Sequence, residues 1–216
     1  MSGAPTIAAD GPVRIGPGRL VLVVGPSGAG KDTLLNLARA ACAGERMIVF
    51  PRRTVTREAS PSEDNRYLEP PSFRTALARG EFALHWEAHG HCYALPLGID
   101  DDIRAGRAVV ANVSRTVLQA MRRAYANVVV IEITAPPDVL AERLSMRARG
   151  SDGAIEPRLS RNIDAATAAP DIIILNVGDA GRHARQLLAV IMGSGQDSTE
   201  GREGPDHVDH RDDRTA

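Results

Sequence analysis

Leu20-Val21-Leu22-Val23-Val24-Gly25-Pro26-Ser27-Gly28-Ala29-Gly30-Lys31-Asp32-Thr33 is the stretch that decides the fold. Five apolar residues run into a glycine-rich loop, and a helix-like stretch from Thr33 to Ala43 follows. A strand, a loop with this spacing and a helix in that order make a phosphate-binding P-loop. The glycines let successive backbone N–H groups turn inward and form an anion nest. The helix N-terminus adds partial positive charge, and Lys31 reaches the outer phosphates. Gly25, Pro26, Ser27, Gly28, Ala29, Gly30, Lys31, Asp32 and Thr33 are therefore the candidate nucleotide-binding residues.

One position departs from the usual pattern. The Ser or Thr that ordinarily follows the lysine, and whose hydroxyl touches Mg²⁺, is Asp32, with Thr33 one place later. A carboxylate can ligate Mg²⁺ but also brings negative charge close to the β- and γ-phosphates. The arrangement is tolerable if a cation lies between them, or if an acid is missing elsewhere. Asp32 is the candidate metal residue, directly or through water.

At 216 residues the chain suits one α/β domain with a sizeable core. Its balance of 26 basic and 27 acidic residues gives no global reason to expect nucleic acid or membrane partners, so a small molecule is the expected partner. Cys42 and Cys92 are too few for a disulfide framework, and Cys42 reads as a small buried residue. No run approaches a membrane span and no export signal is visible, so a cytoplasmic, reducing location is the expectation. Residues 1 to about 18 read as a flexible leader, and residues 193–216 as an acidic tail unable to bury a core.

Between those ends, apolar runs alternate with amphipathic stretches. The expected strands are Leu20–Val24, Met47–Phe50, Ala108–Val113, Val128–Thr134 and Ile172–Leu175. The expected helices are Asp32–Ala43, Ser114–Ala124, Pro137–Arg147, Pro157–Ala168 and Gly181–Met192. Short, continuously apolar strands separated by helices imply an α/β fold: a P-loop NTPase-type parallel sheet with helices on both faces. Two segments break the alternation and read as insertions, one over about 51–99 and a lid over about 143–161. At the carboxyl edge of such a sheet they would bind an acceptor and close over the donor.

Both insertions carry arginine, whose planar fork bonds phosphate bidentately and stays charged. Phosphoryl transfer asks a protein mainly to position groups and offset charge on the transferring oxygens. In the lid, Arg143, Arg147, Arg149, Arg158 and Arg161 surround a Gly-rich bend. Arg147 and Arg149, then Arg158, are expected beside Lys31 as the catalytic cations. In the first insertion Arg57, with Tyr67 or Tyr93, is the expected acceptor-phosphate site, and Arg53 joins it as a candidate. His85, His89 and His91 lack companions at zinc-ligand spacing, and Trp86 reads as a packing residue.

These motifs resemble the guanylate kinase-like family over roughly Leu20 to Met192. The matching features are the P-loop, Thr56-Arg57, Gly90-His91-Cys92-Tyr93, the frame Arg143-Leu144-x-x-Arg147, and Asn176 after the last strand. Within it the chain is most similar to the ribose 1,5-bisphosphate phosphokinases of phosphonate catabolism. The marks are Gly-Lys-Asp in the P-loop, Thr56-Arg57-Glu58-Ala59-Ser60, Trp86-x-x-x-Gly90, Val113-Ser114-Arg115 and Leu175-Asn176. The resemblance implies transfer of the γ-phosphoryl group of ATP, with Mg²⁺, to the 1-phosphate of ribose 1,5-bisphosphate, giving 5-phosphoribosyl 1-diphosphate. Guanylate kinases have an arginine where Ser60 stands, a base-reading Glu where Leu84 stands, and an acidic pair where Asn112 and Ser114 stand. Losing a buried carboxylate that pairs with a base removes much base discrimination. The missing acid after the third strand also makes room for the unexpected one at Asp32. The alternatives are a guanylate kinase and, in another class, a non-catalytic interaction module, which the intact Lys31, Gly28 and Gly30 disfavour.

Overall fold

The computed structural model describes residues 13–58, 64–88, 90–149 and 169–193, without the side chains of 147–149. In chain order the elements begin with β1 (Ile15–Val24), α1 (Lys31–Ala41), β2 (Ile48–Val49), β3 (Arg53–Val55), β4 (Asn65–Tyr67) and α2 (Pro70–Ala78). Next come β5 (Phe82–Ala88), β6 (His91–Pro96), α3 (Gly98–Arg104) and β7 (Ala108–Asn112). A 3₁₀ turn at Arg115–Val117 leads into α4 (Leu118–Ala124) and β8 (Tyr125–Thr134). α5 (Pro137–Arg149), β9 (Ile172–Leu175) and α6 (Ala180–Met192) complete the described chain.

The five expected strands form one sheet in the order β2-β7-β1-β8-β9, and every pairing in it is parallel. Their continuous apolar sequence follows from burial on both faces. Val21 and Val23 of β1, Ile131 and Ile133 of β8, and Val110 of β7 pack against Leu34 and Ala38 of α1 and Leu187 and Ile191 of α6. Leu20, Leu22 and Val24 point the other way, toward Ile103 of α3 and Leu118 and Met121 of α4.

The first insertion is a second sheet, ordered β4-β3-β6-β5, with α2 against it. Val55, Leu84, Trp86, Tyr93 and Leu95 from this sheet share the core that holds Leu22 and Val24. The insertion therefore sits on one particular face of the main sheet, over the end of β1. Trp86 is 4 % exposed and its ring stacks on Tyr93, centroids 5.6 Å apart, so it packs as expected.

The boundaries differ in instructive ways. β1 starts at Ile15, so Ile15–Gly18 belong to the sheet and not to a leader. Glycine there serves close approach: a Cβ at Gly18 would lie 2.4 Å from the carbonyl oxygen of Arg107. Of the expected helix Ser114–Ala124, the first part is a 3₁₀ turn, opened by the Ser114 hydroxyl accepting from the Thr116 N–H. The expected helix Pro157–Ala168 lies outside the described residues. Gly193, at φ 82°, closes α6 in the left-handed conformation. Among the described residues no helix is long and apolar enough to cross a membrane.

A buried pair secures the end of the insertion. The Tyr125 hydroxyl donates to Asp100 Oδ1 at 2.6 Å, joining β8 to α3. Burial first, then the hydrogen bond and charge of Asp100, push the phenol well above its ordinary range, so it remains a donor. Tyr125→Phe leaves a buried carboxylate short of a donor. It should lower unfolding free energy by about 1–3 kcal/mol in urea titration, with no change in the slope.

Candidate phosphate-transfer site

The P-loop starts where β1 ends, and its shape is fixed by contacts only glycine permits. Gly25 has φ 146°, and a Cβ there would come within 1.9 Å of the Ile133 carbonyl oxygen on β8. Gly28 and Gly30 both have φ 83°, and Gly30 caps the N-terminus of α1. At Gly30 a Cβ would meet Asn176 Nδ2 at 2.4 Å. Backbone curvature of this kind aims N–H groups into a common space in front of a helix N-terminus. Lys31 folds over the loop, its ammonium donating to the carbonyls of Gly25 and Pro26, each at 2.9 Å.

A second set of contacts holds the loop from behind. Asn176, 4 % exposed in the turn after β9, donates through Nδ2 to the Ala29 carbonyl at 2.8 Å. Its backbone N–H bonds the Thr134 carbonyl, also at 2.8 Å. Arg143 of α5 donates to the carbonyls of Gly28 at 3.4 Å and Asn176 at 3.0 Å. Arg143, grouped with the lid arginines by spacing, is thus seated on the P-loop itself. His183 of α6 supports the same turn, its Nε2 lying 2.9 Å from the Val177 carbonyl.

Asp32 stands in the first turn of α1, and its Oδ1 accepts from Asn112 Nδ2 at 3.1 Å. Asn112 is the last residue of β7, and its backbone carbonyl accepts from Arg53 Nη1 at 3.2 Å. The Arg53 guanidinium also lies 5.2 Å from the Tyr93 ring centroid, a cation–π distance, and its Nε reaches Asn65 Oδ1 at 3.4 Å. Asp32, Asn36, Arg53, Asn65 and Asn112 line one cleft between the P-loop helix and the insertion. Apolar side chains, among them Leu35, Phe50 and Leu95, share that lining about equally with the polar ones. Asp64 closes its outer end, paired with Arg39 at 2.6 Å and Arg52 at 2.8 Å.

The remaining expected residues are distributed unevenly. Arg57 lies just beyond β3 and is half-buried, while Tyr67, on β4, is 46 % exposed. The Tyr93 ring is 8 % exposed, so it forms the wall under Arg53. Arg147 and Arg149 fall in the last turn of α5, with side chains outside the description, and Arg158 lies outside the described residues. Both thiols are pushed up, Cys42 by burial and then Glu45, Cys92 by burial and then Glu87. Neither is a ready nucleophile near neutral pH.

Sequence spacing gave no sign of one further pair: Arg115, in the 3₁₀ turn, forms an ion pair with Glu132 of β8. Glu132, a lone charge inside the apolar run Val128–Thr134, is the signal that could have found it.

No family model matches the chain. It is 64% identical over 191 residues to the ribose 1,5-bisphosphate phosphokinase PhnN of Bradyrhizobium diazoefficiens, covering 88% of this chain and 96% of that protein. The chain belongs to the PhnN family. The family member of Rhodopseudomonas palustris is 63% identical over 177 residues, 82% of this chain and 90% of that one. That of Methylobacterium radiotolerans is 51% identical over 173 residues, 80% and 97% of the two chains. Among solved structures, guanylate kinase from Anaplasma phagocytophilum superposes with a TM-score of 0.58 at 20% identity, over 84% of this chain and 88% of that one. That likeness establishes the guanylate kinase-like fold.

The rear contacts of the P-loop yield a direct test. Asn176→Ala leaves the Ala29 carbonyl without its side-chain partner and frees the loop. Affinity for an ATP analogue, by calorimetry, should fall about tenfold, while the melting temperature moves by only a few degrees.

Proposed function

We propose that this chain transfers the γ-phosphoryl group of ATP to the 1-phosphate of ribose 1,5-bisphosphate, releasing ADP and 5-phosphoribosyl 1-diphosphate, in phosphonate catabolism. The observation that carries the reading is near-full-length similarity to proteins of that name, joined to a complete P-loop whose helix borders a cleft lined by Asp32, Arg53 and Asn112 among others. A cytoplasmic setting, where ATP is supplied, belongs to the same proposal.

In this reading the P-loop amides and Lys31 hold the β- and γ-phosphates, with the ammonium moving from the Gly25 and Pro26 carbonyls to phosphate oxygen. Arg147, Arg149 and Arg158 close over the γ-phosphoryl group. Arg57, Arg53 and the tyrosines Tyr67 and Tyr93 bound the acceptor site. An oxygen of the sugar 1-phosphate forms the new bond to the γ-phosphorus as the bond to the ADP oxygen breaks. That nucleophile is already anionic at neutral pH, so no general base is needed.

Asp32 fits a role on the metal side. Its carboxylate lines the cleft, and Asn112 Nδ2 donates to Oδ1, a hydrogen bond of the kind that orients a ligating carboxylate. Mg²⁺ held there, directly or through water, neutralises phosphate charge when bound. Replacing Asp32→Ser should lower turnover and shift the Mg²⁺ titration to higher concentration; unchanged kinetics would defeat this role.

A guanylate kinase reading has the shared fold in its favour. Against it, Leu84 is fully buried and offers a base nothing polar, and Asn112 is engaged with Asp32 and Arg53. ADP release measured with ribose 1,5-bisphosphate and GMP side by side should be faster with the sugar. Faster turnover of GMP would overturn the proposal. Lys31→Ala should reduce kcat/KM for ATP by about 100-fold or more; full retention would remove the kinase reading altogether.

A further inference from the structure

β7 and β8 flank β1, so the carboxyl end of β1 lies between theirs. Arg115 leaves the chain just after β7, and Glu132 stands on β8 in register with Val24, the last residue before the P-loop. Their ion pair therefore passes over the strand end from which the P-loop springs. The face can be read from alternation along β8. Ile131 and Ile133 pack toward α1 and α6, so Glu132 points to the opposite face with Val130, where the insertion shares its core with β1. The pair is thus on the acceptor side of the P-loop.

A stability role accounts poorly for this placement. The Arg115 side chain is 39 % exposed and Glu132 20 %, and ion pairs with this much solvent contribute little to folding. β8 is already fixed along β1 by a continuous parallel ladder from Arg19 to Val24. What the pair does achieve is alignment. A guanidinium has five N–H donors in a rigid fork. Binding one edge to Glu132 leaves the others directed away from the carboxylate, and the exposure of Arg115 keeps them within reach of a ligand. In the kinase reading two phosphates must meet in front of the P-loop, and a fixed cation there offsets their repulsion.

We propose that Arg115, aligned by Glu132, binds the accepting phosphate of the second substrate. The claim rests on the kinase reading above and adds to it a specific cation on the acceptor side. Arg115 would touch substrate; Glu132 is a positioning residue.

The test compares Arg115→Ala, Arg115→Lys and Glu132→Gln in the full chain. Steady-state kinetics with ATP and ribose 1,5-bisphosphate are measured together with affinity for a non-hydrolysable ATP analogue. For Arg115→Ala, kcat/KM for the sugar bisphosphate should fall by about 100-fold or more, while analogue affinity stays within about twofold. Glu132→Gln should lose about tenfold through misalignment, with the analogue again bound normally. Arg115→Lys keeps the charge without the fork and should also lose about tenfold; it carries the test if the alanine variant does not fold. Acceptor kinetics within about threefold of wild type would overturn the proposal, as would an equal loss of analogue affinity, which marks a structural role. If wild type turns over GMP faster than the sugar, the proposed substrate fails. The same comparison made with GMP then decides for or against Arg115, because a phosphate accepts in both cases.

Discussion

At the end of β1 the backbone of Gly25 runs against the carbonyl of Ile133 with no room for a side chain, and the rest of the site is built around that contact. It anchors the first residue of the P-loop to β8. Asn176 and Arg143 then hold Gly28 and Ala29 from the far side. A loop clamped at both ends loses little conformational freedom when phosphate binds, so its amides are in place beforehand. The anchors come from β8, α5 and the turn after β9, distant in sequence and adjacent only because the sheet is parallel.

The first insertion is joined to this frame by a shared hydrophobic core, with Leu84, Trp86, Tyr93 and Leu95 packed beside Leu22 and Val24. That continuity makes a large swing of the insertion costly, because it would expose buried apolar surface. Smaller adjustments remain open at its polar rim. There Asp64 bridges Arg39 and Arg52 with its carboxylate 43 % exposed, a weak tie by the measure of solvent-exposed pairs.

The parallel sheet was legible because each of its strands is a short apolar run, the mark of burial on both faces. The second sheet was not. Arg53–Val55 and Asn65–Tyr67 are three residues each, mix charge with apolar side chains, and gain their order from pairing across the insertion. At the site, the glycines and Lys31 announced the P-loop through local spacing alone. The hold of Asn176 on Ala29 spans 147 residues of chain, a separation at which local pattern carries no information. Arg143 was read as one of a set of lid arginines, and its helical spacing could not say that it turns toward the loop. Glycine near the N-terminus invited the opposite error: at Gly18 it marks crowding against Arg107, where composition suggested slackness.

One thread of hydrogen bonds runs from the Arg53 guanidinium through Asn112 to Asp32, linking the insertion to the first turn of α1. Its middle member is a strand residue bonded at both its backbone and its side chain, so one residue of β7 holds groups from both sides of the cleft. If ligands at its two ends each shift Asn112, their binding is thermodynamically coupled. By reciprocity, whatever factor a ligand at the insertion then imposes on affinity at α1, the ligand at α1 imposes in return.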